Sequence, residues 1–384
     1  MTLQAPRGLI LVLTGADEAL AGGHDAEAVQ GVDASVQAIR AALERDDRSV
    51  AVARISDVHT LVDVLRVHRP SMVVNLIESL GGRDDLEPAA ASMLELLRVP
   101  YTGSAPLALG LCQNKPLTKT ALLGLGVPTA RWQVLRPDDL LTHGGDGAIC
   151  AALAERLTFP VIVKPAAADA SCGIDAGSVV YDAAAALERA ALLWEKYGPE
   201  ALVEEYIDGR EVNIGIVGNG VSAECLPLAE IEFHTREGMP AIVTYDAKWI
   251  DGSSDWGEST VRCPARLDGA LADALCDVAL RAYRGLGVRD YGRVDLRVTA
   301  GGDIRVLEVN PNPDLAPDAG FANAARARSW SYDELVQRIL AAAEERTMRD
   351  PVLVADRSKR DWLDPRADGR VLPRRNRLRA LPRG

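Results

Sequence analysis

The sequence lacks closely spaced cysteines. Its six cysteines are scattered over 384 residues, and no two of them form a C-x-x-C pair. Zinc sites and disulfide frameworks usually show characteristic short spacings, so both kinds of site are disfavoured. Cysteines that stay reduced are typical of the cytosol, and we therefore expect a cytoplasmic protein.

A long hydrophobic run is also missing. The apolar stretch at 9–15 is too short for the core of a signal peptide and far too short to cross a bilayer. We expect it to form a buried β-strand, and we expect no membrane partner. The sequence contains no G-x-x-x-x-G-K-[ST] motif either, which argues against a P-loop NTPase.

Positive charge is scarce, because the net charge is −12 at pH 7. A chain this acidic is not built to hold nucleic acid, and we expect none as a partner. The exception is the segment 349–384, which carries 11 Lys and Arg against 5 Asp and Glu. Such a tail could touch RNA, a membrane or an acidic protein, but a packed or solvated terminal segment is the more common interpretation.

The first hundred residues show a regular alternation of strands and helices. Apolar runs at 8–15, 49–56 and 71–78 are separated by helical stretches, the second of which should stop at Pro70. This order predicts a parallel, doubly wound α/β sheet with its ligand crevice at the strand ends.

The pattern changes after Lys115. Longer strands separated by turns indicate an α+β half with mostly antiparallel pairing. Asp208-Gly209 between two apolar runs predicts a hairpin. Ser331 and Glu334 have the spacing of a capping box at the start of a helix.

The clearest chemical pattern is a pair of strands, YGRVDLRV (291–298) and IRVLEVNPNP (304–313), joined by TAGGD. The glycines predict a hairpin that places Asp295 opposite Glu308. Asn310 shares the face of Glu308 because side chains alternate along a strand. Two carboxylates and an amide oxygen are suitable ligands for Mg²⁺. The alternative interpretation is a surface cluster of salt bridges.

Further candidates lie near this pattern and near another strand end. Arg293 lies two residues before Asp295, on the same face, where it can hold an anion. Lys164 ends an apolar strand, and a loop of small residues that includes Ser171 follows it. Backbone N–H groups of such a loop can approach an anion. The alternative is a plain flexible loop after an edge strand.

Two other segments carry charge beside strand ends. Glu204, Glu205 and Glu211 flank the predicted Asp-Gly turn, where backbone groups and a carboxylate could contact adenine and ribose. Lys248 lies between aromatic residues in TYDAKW (244–249) and could reach a phosphate. Taken alone, each segment favours the simpler interpretation, which is a charged hairpin in the first case and a surface lysine in the second.

Six segments together resemble the ATP-grasp superfamily, and within it the D-alanine–D-alanine ligase-like proteins: NKPLTK, FPVIVKP, VEEYIDGREVNIGI, YDAKW, YGRVDLRV and EVNPNP. No single segment is decisive, but their shared order over about residues 70–345 is specific. The resemblance implies an ATP-grasp fold of mixed α/β and α+β class, with ATP held between two antiparallel sheets. The implied parts are an N-terminal doubly wound preATP-grasp domain (1–107), a small ATP-grasp subdomain (108–205), a C-terminal ATP-grasp subdomain (206–345) and a basic tail (346–384).

The resemblance also implies residue roles. Asp295, Glu308 and Asn310 would hold two Mg²⁺ ions, or Mn²⁺ in their place. Arg293 would lie beside the acyl phosphate, and Ser171 in the loop that closes over the phosphates. The implied nucleotide-binding set is Lys115 and Lys164 for the α- and β-phosphates, Lys248 for the γ-phosphate, Glu204 with the backbone of Tyr206 and Ile207 for adenine, Glu211 for ribose, and in addition Glu205 and Leu307.

The implied chemistry is ADP-forming ligation. A substrate carboxylate attacks the γ-phosphorus of ATP to give an acyl phosphate, and a second substrate's amine then displaces phosphate. The substrates would be amino acids or peptides, and the resemblance alone suggests a homodimer. The alternatives are an ATP-grasp phosphotransferase (a kinase that releases a phosphorylated small molecule), D-alanine–D-alanine ligase itself, and a non-catalytic nucleotide-binding module.

Departures from the family pattern concern the amino-acid half of the site. The family's N-terminal catalytic glutamate has no clear counterpart, and Glu18 is only a candidate for it. Glu78 stands near the place of a family histidine. Asp314 replaces a glycine whose backbone helps to form the oxyanion site. These differences predict a ligase whose product is not D-Ala-D-Ala.

Overall fold

The computed structural model describes residues 8–16, 26–142, 144–168, 171–234, 239–249 and 259–350. Three of the sequence predictions fall outside these residues: Glu18, the side chain of Lys248, and the basic tail beyond Asp350.

The N-terminal unit is built on a three-stranded parallel sheet. Strand β1 is the central strand of the order β2-β1-β3, and the register pairs Ile10 with both Val50 and Met72. Leu11 and Leu13 point to one face and Ile10 and Val12 to the other, and all four are fully buried. The alternating strands and helices predicted for this unit are therefore confirmed. Its elements are β1 (Ile10–Gly15), α1 (Ala26–Arg45), β2 (Val50–Ile55), α2 (Val58–His68), β3 (Met72–Asn75) and α3 (Glu87–Leu96).

The next unit contains a four-stranded antiparallel sheet in the order β4-β7-β5-β6. Helices α7 and α8 pack on it, and Leu153, Leu193 and Val163 belong to their shared core. The elements are α4 (Pro106–Gln113), α5 (Lys115–Gly124), β4 (Trp132–Leu135), α6 (Pro137–Thr142), α7 (Asp146–Arg156), β5 (Val161–Pro165), β6 (Val179–Val180), α8 (Ala183–Tyr197) and β7 (Ala201–Glu205).

The third unit contains a larger antiparallel sheet in the order β11-β10-β8-β12-β13, with β9 paired to β8. Helix α10 covers one face, where Val212, Val294 and Leu275 are completely buried. On the other face, Glu308 of β13 lines one pocket with Lys164 of the four-stranded sheet. The elements are β8 (Arg210–Val217), β9 (Glu224–Cys225), β10 (Ala229–Phe233), α9 (Tyr245–Trp249), β11 (Ser259–Arg262), α10 (Gly269–Gly285), β12 (Tyr291–Val298), β13 (Ile304–Asn310), α11 (Gly320–Ala327) and α12 (Tyr332–Arg349).

The hairpin predicted at Asp208-Gly209 is wrong. β7 pairs with β4 and β5, whereas β8 pairs with β12 and β10, so the segment passes from one sheet to the other. Glycine is needed here for a different reason. A Cβ at Gly209 would lie 2.0 Å from the carbonyl oxygen of Val298. The glycine therefore permits a close backbone approach instead of a two-residue turn.

One buried carboxylate joins the N-terminal unit to the large sheet and the last helix. Asp290, directly before β12, is 0% exposed. It accepts hydrogen bonds from Gly103 N (2.9 Å), Asn219 Nδ2 (2.9 Å) and Arg346 Nη2 (2.8 Å). A buried charge is tolerated when it is paired and hydrogen-bonded in this way. Asp290 thus fixes the start of β12 relative to α12 and the N-terminal unit.

The helices α1 and α12 are the longest described, with 20 and 18 residues. They pack against each other and share a core that includes Val36, Leu335 and Ile339. Within the part of the chain that the structure describes, no helix is long and apolar enough to cross a membrane.

The capping box predicted at the start of α12 is confirmed. Ser331 Oγ accepts the N–H of Glu334 at 3.2 Å, and Glu334 Oε2 accepts the N–H of Ser331 at 2.7 Å. We expect Ser331→Ala to lower the free energy of unfolding by about 1 kcal/mol. The N–H of Glu334 loses its acceptor, and the reciprocal bond from the N–H of residue 331 to the Glu334 side chain loses the support of the capping box. Urea denaturation measures this change. Ser92→Ala, inside α3, is the matched control and should stay within about 0.5 kcal/mol.

Candidate active site

The facing sides of the two antiparallel sheets carry most of the residues singled out from the sequence. Lys115 begins α5, Lys164 lies in β5, and Glu308 lies in β13. They meet at a small pocket of about 60 Å³. The residues that line the pocket are Lys115, Lys164, Pro165, Ala168, Ser171, Cys172, Ile174 and Glu308.

A buried group of two lysines and one glutamate lies deepest in this cleft. Glu204 is 1% exposed, and its Oε1 accepts from Lys119 Nζ at 2.5 Å. Lys164 Nζ lies 2.9 Å from the other carboxylate oxygen. Lys119 is also 1% exposed and donates to Thr129 Oγ1 at 2.8 Å. Such a group is stable only as a paired set, because each charge alone would be very costly to bury.

The pKa values in this group follow from burial and pairing. Burial lowers the pKa of Lys119, and this effect exceeds the opposing attraction of Glu204. Burial also acts to lower the pKa of Lys164, but the Glu204 carboxylate outweighs it and the pKa is raised. Burial acts to raise the pKa of Glu204, and the two lysines together lower it. Lys164 is therefore held as a cation at the floor of the cleft.

Lys119 had no role in the sequence-based set. It is the second lysine of NKPLTK, four residues after Lys115. Residues four apart on a helix share a face, so this spacing was a usable signal that both lysines point into the cleft. Lys115 itself is 7% exposed, and its Nζ donates to the carbonyl oxygen of Ala168.

The crossing segment between β7 and β8 is fixed by Arg297 of β12. Arg297 is 4% exposed and donates to Glu211 Oε2 at 2.7 Å and to the carbonyl oxygen of Ile207 at 2.8 Å. Its guanidinium lies 5.2 Å from the ring centre of Tyr206. The expected positions Tyr206, Ile207 and Glu211 are thus brought together. Arg297 was missed, although it continues the alternation begun at residues 293 and 295.

The predicted hairpin of β12 and β13 is confirmed, with Asp295 paired to Glu308 and Arg293 to Asn310. Arg293 donates to both carboxylate oxygens of Asp295, each at 2.8 Å, and its Nη2 lies 3.9 Å from Glu308 Oε1. The register shifts by one residue after Asp295, which makes Leu307 a bulge residue. Bulges often occur beside active sites, where they re-aim side chains.

Asp295, Glu308 and Asn310 supply the oxygen ligand types that a divalent cation takes. Asp295 is 5% exposed, and burial raises its pKa to about 6 even though Arg293 opposes this. A buried carboxylate with an elevated pKa is stabilised in its charged form by a nearby cation. Among the described residues no three His, Cys, Asp or Glu side chains form a metal cluster, so the set depends on the amide oxygen of Asn310 as the third ligand.

The loop after β5 contacts the helix that carries Lys248. Ser171 adopts a left-handed backbone conformation (φ 62°), and its carbonyl oxygen accepts from Ile174 N at 3.0 Å. Tyr245, the first residue of α9, donates its N–H to the carbonyl oxygen of Ile174 at 3.0 Å. Arg189 of α8 donates to the carbonyl oxygen of Gly173 at 2.9 Å. The Ser171 loop, which lines the pocket, is therefore joined to the start of α9.

The side chain of Glu205 lies on the other face of β7 from that of Glu204. Glu205 follows Glu204 in β7, so its side chain points to the opposite face of the sheet. Its Oε1 accepts from Thr158 N at 2.7 Å and lies 2.6 Å from Arg131 Nη2. This carboxylate is engaged away from the buried lysines, and the nucleotide contact of Glu205 stays a prediction.

Asp314 has a defined structural role. Its Oδ1 accepts from Ala316 N at 2.8 Å, and Ser35 Oγ of α1 lies 3.4 Å away. Asp314, which the resemblance places at a glycine of the family, therefore closes a turn after β13 and contacts the N-terminal unit. Glu78 is exposed just beyond β3.

The sequence is similar to those of known proteins. A family profile described as "D-ala D-ala ligase C-terminus" matches residues 122–341. An uncharacterized protein of Sinorhizobium fredii is 35% identical over 282 residues, covering 73% of this chain and 77% of that protein. A D-alanine–D-alanine ligase of Desulforudis audaxviator is 33% identical over 284 residues, covering 74% of this chain and 86% of that protein.

A solved structure shows the same fold. The D-alanine–D-alanine ligase of Bacillus anthracis complexed with ATP has a TM-score of 0.65 at 20% identity, and the match covers 88% of this chain and 98% of that one. The ATP-grasp fold expected from the sequence is confirmed.

Proposed function

Because the chain belongs to the D-alanine–D-alanine ligase family, whose members are ATP-grasp ligases that form an amide bond, we propose that it joins the carboxylate of an amino acid or peptide to an amine with conversion of ATP to ADP and phosphate. The observation that carries this proposal is the convergence of Lys115, Lys164 and Glu308 on one pocket. The two lysine ammonium groups and the carboxylate at the end of β13 suit a nucleoside triphosphate and the divalent metal ion that it binds.

The lysines and the loop would bind and enclose the phosphates. Lys164, kept charged by Glu204, would neutralise phosphate oxygens at the floor of the cleft. Lys115 donates to the carbonyl oxygen of Ala168 and would exchange this bond for a phosphate oxygen. Ala168 and Ser171 line the same pocket. The loop that carries them would close over bound ATP and exclude water from a reactive acyl phosphate.

Arg293 would stabilise the negative charge that develops on the transferred phosphoryl group. Its guanidinium is held by Asp295 with two hydrogen bonds, so its direction is fixed before substrate arrives. Mg²⁺, held by Asp295, Glu308 and Asn310, would supply Lewis-acid neutralisation of the phosphate oxygens. Arg297 and Glu211 would lie at the part of the cleft that holds the nucleoside of ATP. Arg297 already orients the Ile207 carbonyl oxygen there.

The amino-acid substrates are proposed to differ from D-alanine. Support comes from Asp314, whose carboxylate closes a turn and reaches α1 at the place where the family has a glycine. A side chain there changes the space and the charge next to the expected oxyanion site. The phosphotransferase interpretation has no comparable support, because the relatives from Desulforudis audaxviator and Bordetella petrii are both named D-alanine–D-alanine ligases.

A substrate screen tests the proposal. The full chain is incubated with ATP, Mg²⁺ and single or paired amino acids and dipeptides, and ADP, free phosphate and product mass are measured. We expect ADP and phosphate to appear in equal amounts with a condensed product that carries no phosphate, and D-alanine alone to be a poor substrate. A phosphorylated product would instead indicate a kinase, and efficient D-Ala-D-Ala formation would refute the proposed specificity.

A further inference from the structure

A buried carboxylate of the N-terminal unit has no part in the function proposed above. Glu87 is the first residue of α3 and is 6% exposed. Its Oε1 accepts from Asn312 Nδ2 at 2.9 Å, and its Oε2 accepts from Gln113 Nε2 at 2.7 Å. Burial of a carboxylate is costly unless its oxygens are hydrogen-bonded, and hydrogen bonds to a charged group are stronger than neutral ones. Glu87 therefore holds Asn312 firmly.

Asn312 is also bonded on its other side. Its Oδ1 accepts from Tyr291 OH at 2.8 Å, and its backbone N–H donates to Asn310 Oδ1 at 3.0 Å. Tyr291 is 1% exposed at the start of β12. The side-chain amide of Asn312 is thus clamped between Glu87 and Tyr291, while its backbone orients the amide of Asn310.

The orientation of the Asn310 side-chain amide decides whether its oxygen, Oδ1, can bind a cation. An amide oxygen has two lone pairs, so Asn310 Oδ1 can accept the Asn312 N–H and still bind a cation. The same hydrogen bond fixes which end of the Asn310 amide faces the cleft. If this amide were turned over, its NH₂ group would face the Asn312 N–H, and two donors would be opposed. Groups that orient a metal ligand in this way change metal affinity when they are removed.

We propose that Glu87 is a positioning residue for the divalent cation: through Asn312 it holds the Asn310 amide oxygen toward Asp295 and Glu308. This inference rests on the proposed function, because it needs a cation at those three residues. It adds a residue from the N-terminal unit, outside the two antiparallel sheets, to the machinery that binds Mg²⁺. Asn312 thereby links the N-terminal unit, through Glu87, to the proposed metal ligand Asn310.

A binding measurement tests the inference without turnover. Mn²⁺ binding to the full chain in the presence of ADP is followed by electron paramagnetic resonance for the wild type and for Glu87→Ala, Glu87→Gln and Asn312→Leu. We expect Glu87→Ala and Asn312→Leu to weaken Mn²⁺ binding about 10- to 100-fold. Glu87→Gln keeps an oxygen that can accept from Asn312, so its affinity should stay within about threefold of the wild type.

The matched control is Glu95→Ala, on the same helix. Glu95 accepts from Tyr101 OH at 2.8 Å and lies 3.2 Å from Arg289, so it also joins two units but has no link to Asn312. Melting curves without metal show which variants are folded. If Glu87→Ala does not fold, Asn312→Leu must show the loss by itself.

Two results would overturn the inference while leaving the proposed function intact. One is unchanged Mn²⁺ affinity in folded Glu87→Ala or Asn312→Leu, and the other is an equal loss in Glu95→Ala. A wild-type chain that binds no Mn²⁺ with ADP would instead contradict the proposed function, and the inference with it.

Discussion

Replacing Arg293 with alanine is expected to lower kcat of the ATP-dependent reaction about 10²- to 10³-fold, the usual cost of removing one fixed group that stabilises charge in the transition state. Arg293 is suited to this role because both of its hydrogen bonds to Asp295 measure 2.8 Å and its side chain is still 27% exposed to the cleft. Initial rates of ADP release at saturating ATP measure the effect. The KM for ATP should change much less than kcat, because the interaction strengthens as charge develops.

Two companion variants make this expectation specific. Arg293→Lys keeps a positive charge but loses the two-pronged contact, so its rate should fall between those of the wild type and Arg293→Ala. Arg281→Ala removes an arginine from α10 that is 43% exposed and bonded to Asp277, and it should leave kcat unchanged. Similar rates for Arg293→Ala and Arg281→Ala would refute a role for Arg293 in the reaction.

Replacing Glu204 with glutamine is expected to lower the free energy of unfolding by about 3–5 kcal/mol, the cost of removing one partner from a buried ion pair. Lys119 and Lys164 both lie next to this carboxylate, with side chains 1% and 10% exposed. Without the negative charge the two ammonium groups repel each other inside the protein. The pKa of Lys119, already lowered by burial, should fall further, because Glu204 is the group that opposes the shift. Urea denaturation at pH 7 measures the change.

The neighbouring residue gives a matched control. Glu205→Gln makes the same chemical change one position along β7, where the partner Arg131 has a side chain that is 64% exposed. Ion pairs of this kind contribute little, so the expected change is below about 1 kcal/mol. Equal destabilisation by both substitutions would mean that Glu204 is not the buried charge centre described above.

Prediction from the sequence succeeded where short-range chemistry decides the structure. The β12–β13 hairpin follows from two apolar strands and a Gly-Gly turn, and it places Asp295 opposite Glu308 as expected. The capping box of α12 follows from the spacing of Ser331 and Glu334. In each case the interacting groups are close in sequence, so local geometry nearly fixes the contact.

Prediction failed where the partner lies far away in the sequence. Asp208-Gly209 has the composition of a turn, but the flanking strands belong to different sheets. Gly209 is needed there because Val298 approaches it too closely for any side chain. The partners of the Glu205 carboxylate could not be predicted either, because Arg131 lies 74 residues earlier and Thr158 lies in another segment. A turn motif carries no information about which distant strand will pair with its neighbours.

The sequence by itself determined the alternating strands and helices of the N-terminal unit, the facing pair Asp295 and Glu308, and the family that these patterns resemble. Only the tertiary structure decided which charges are buried and what pairs with them: Lys119 with Glu204, Arg297 with Glu211, and Glu87 with Asn312. The physical reason is that periodicity and turn chemistry act over a few residues. The cost of burying a charge, by contrast, is offset by whichever partner the packed sheets bring within hydrogen-bond distance.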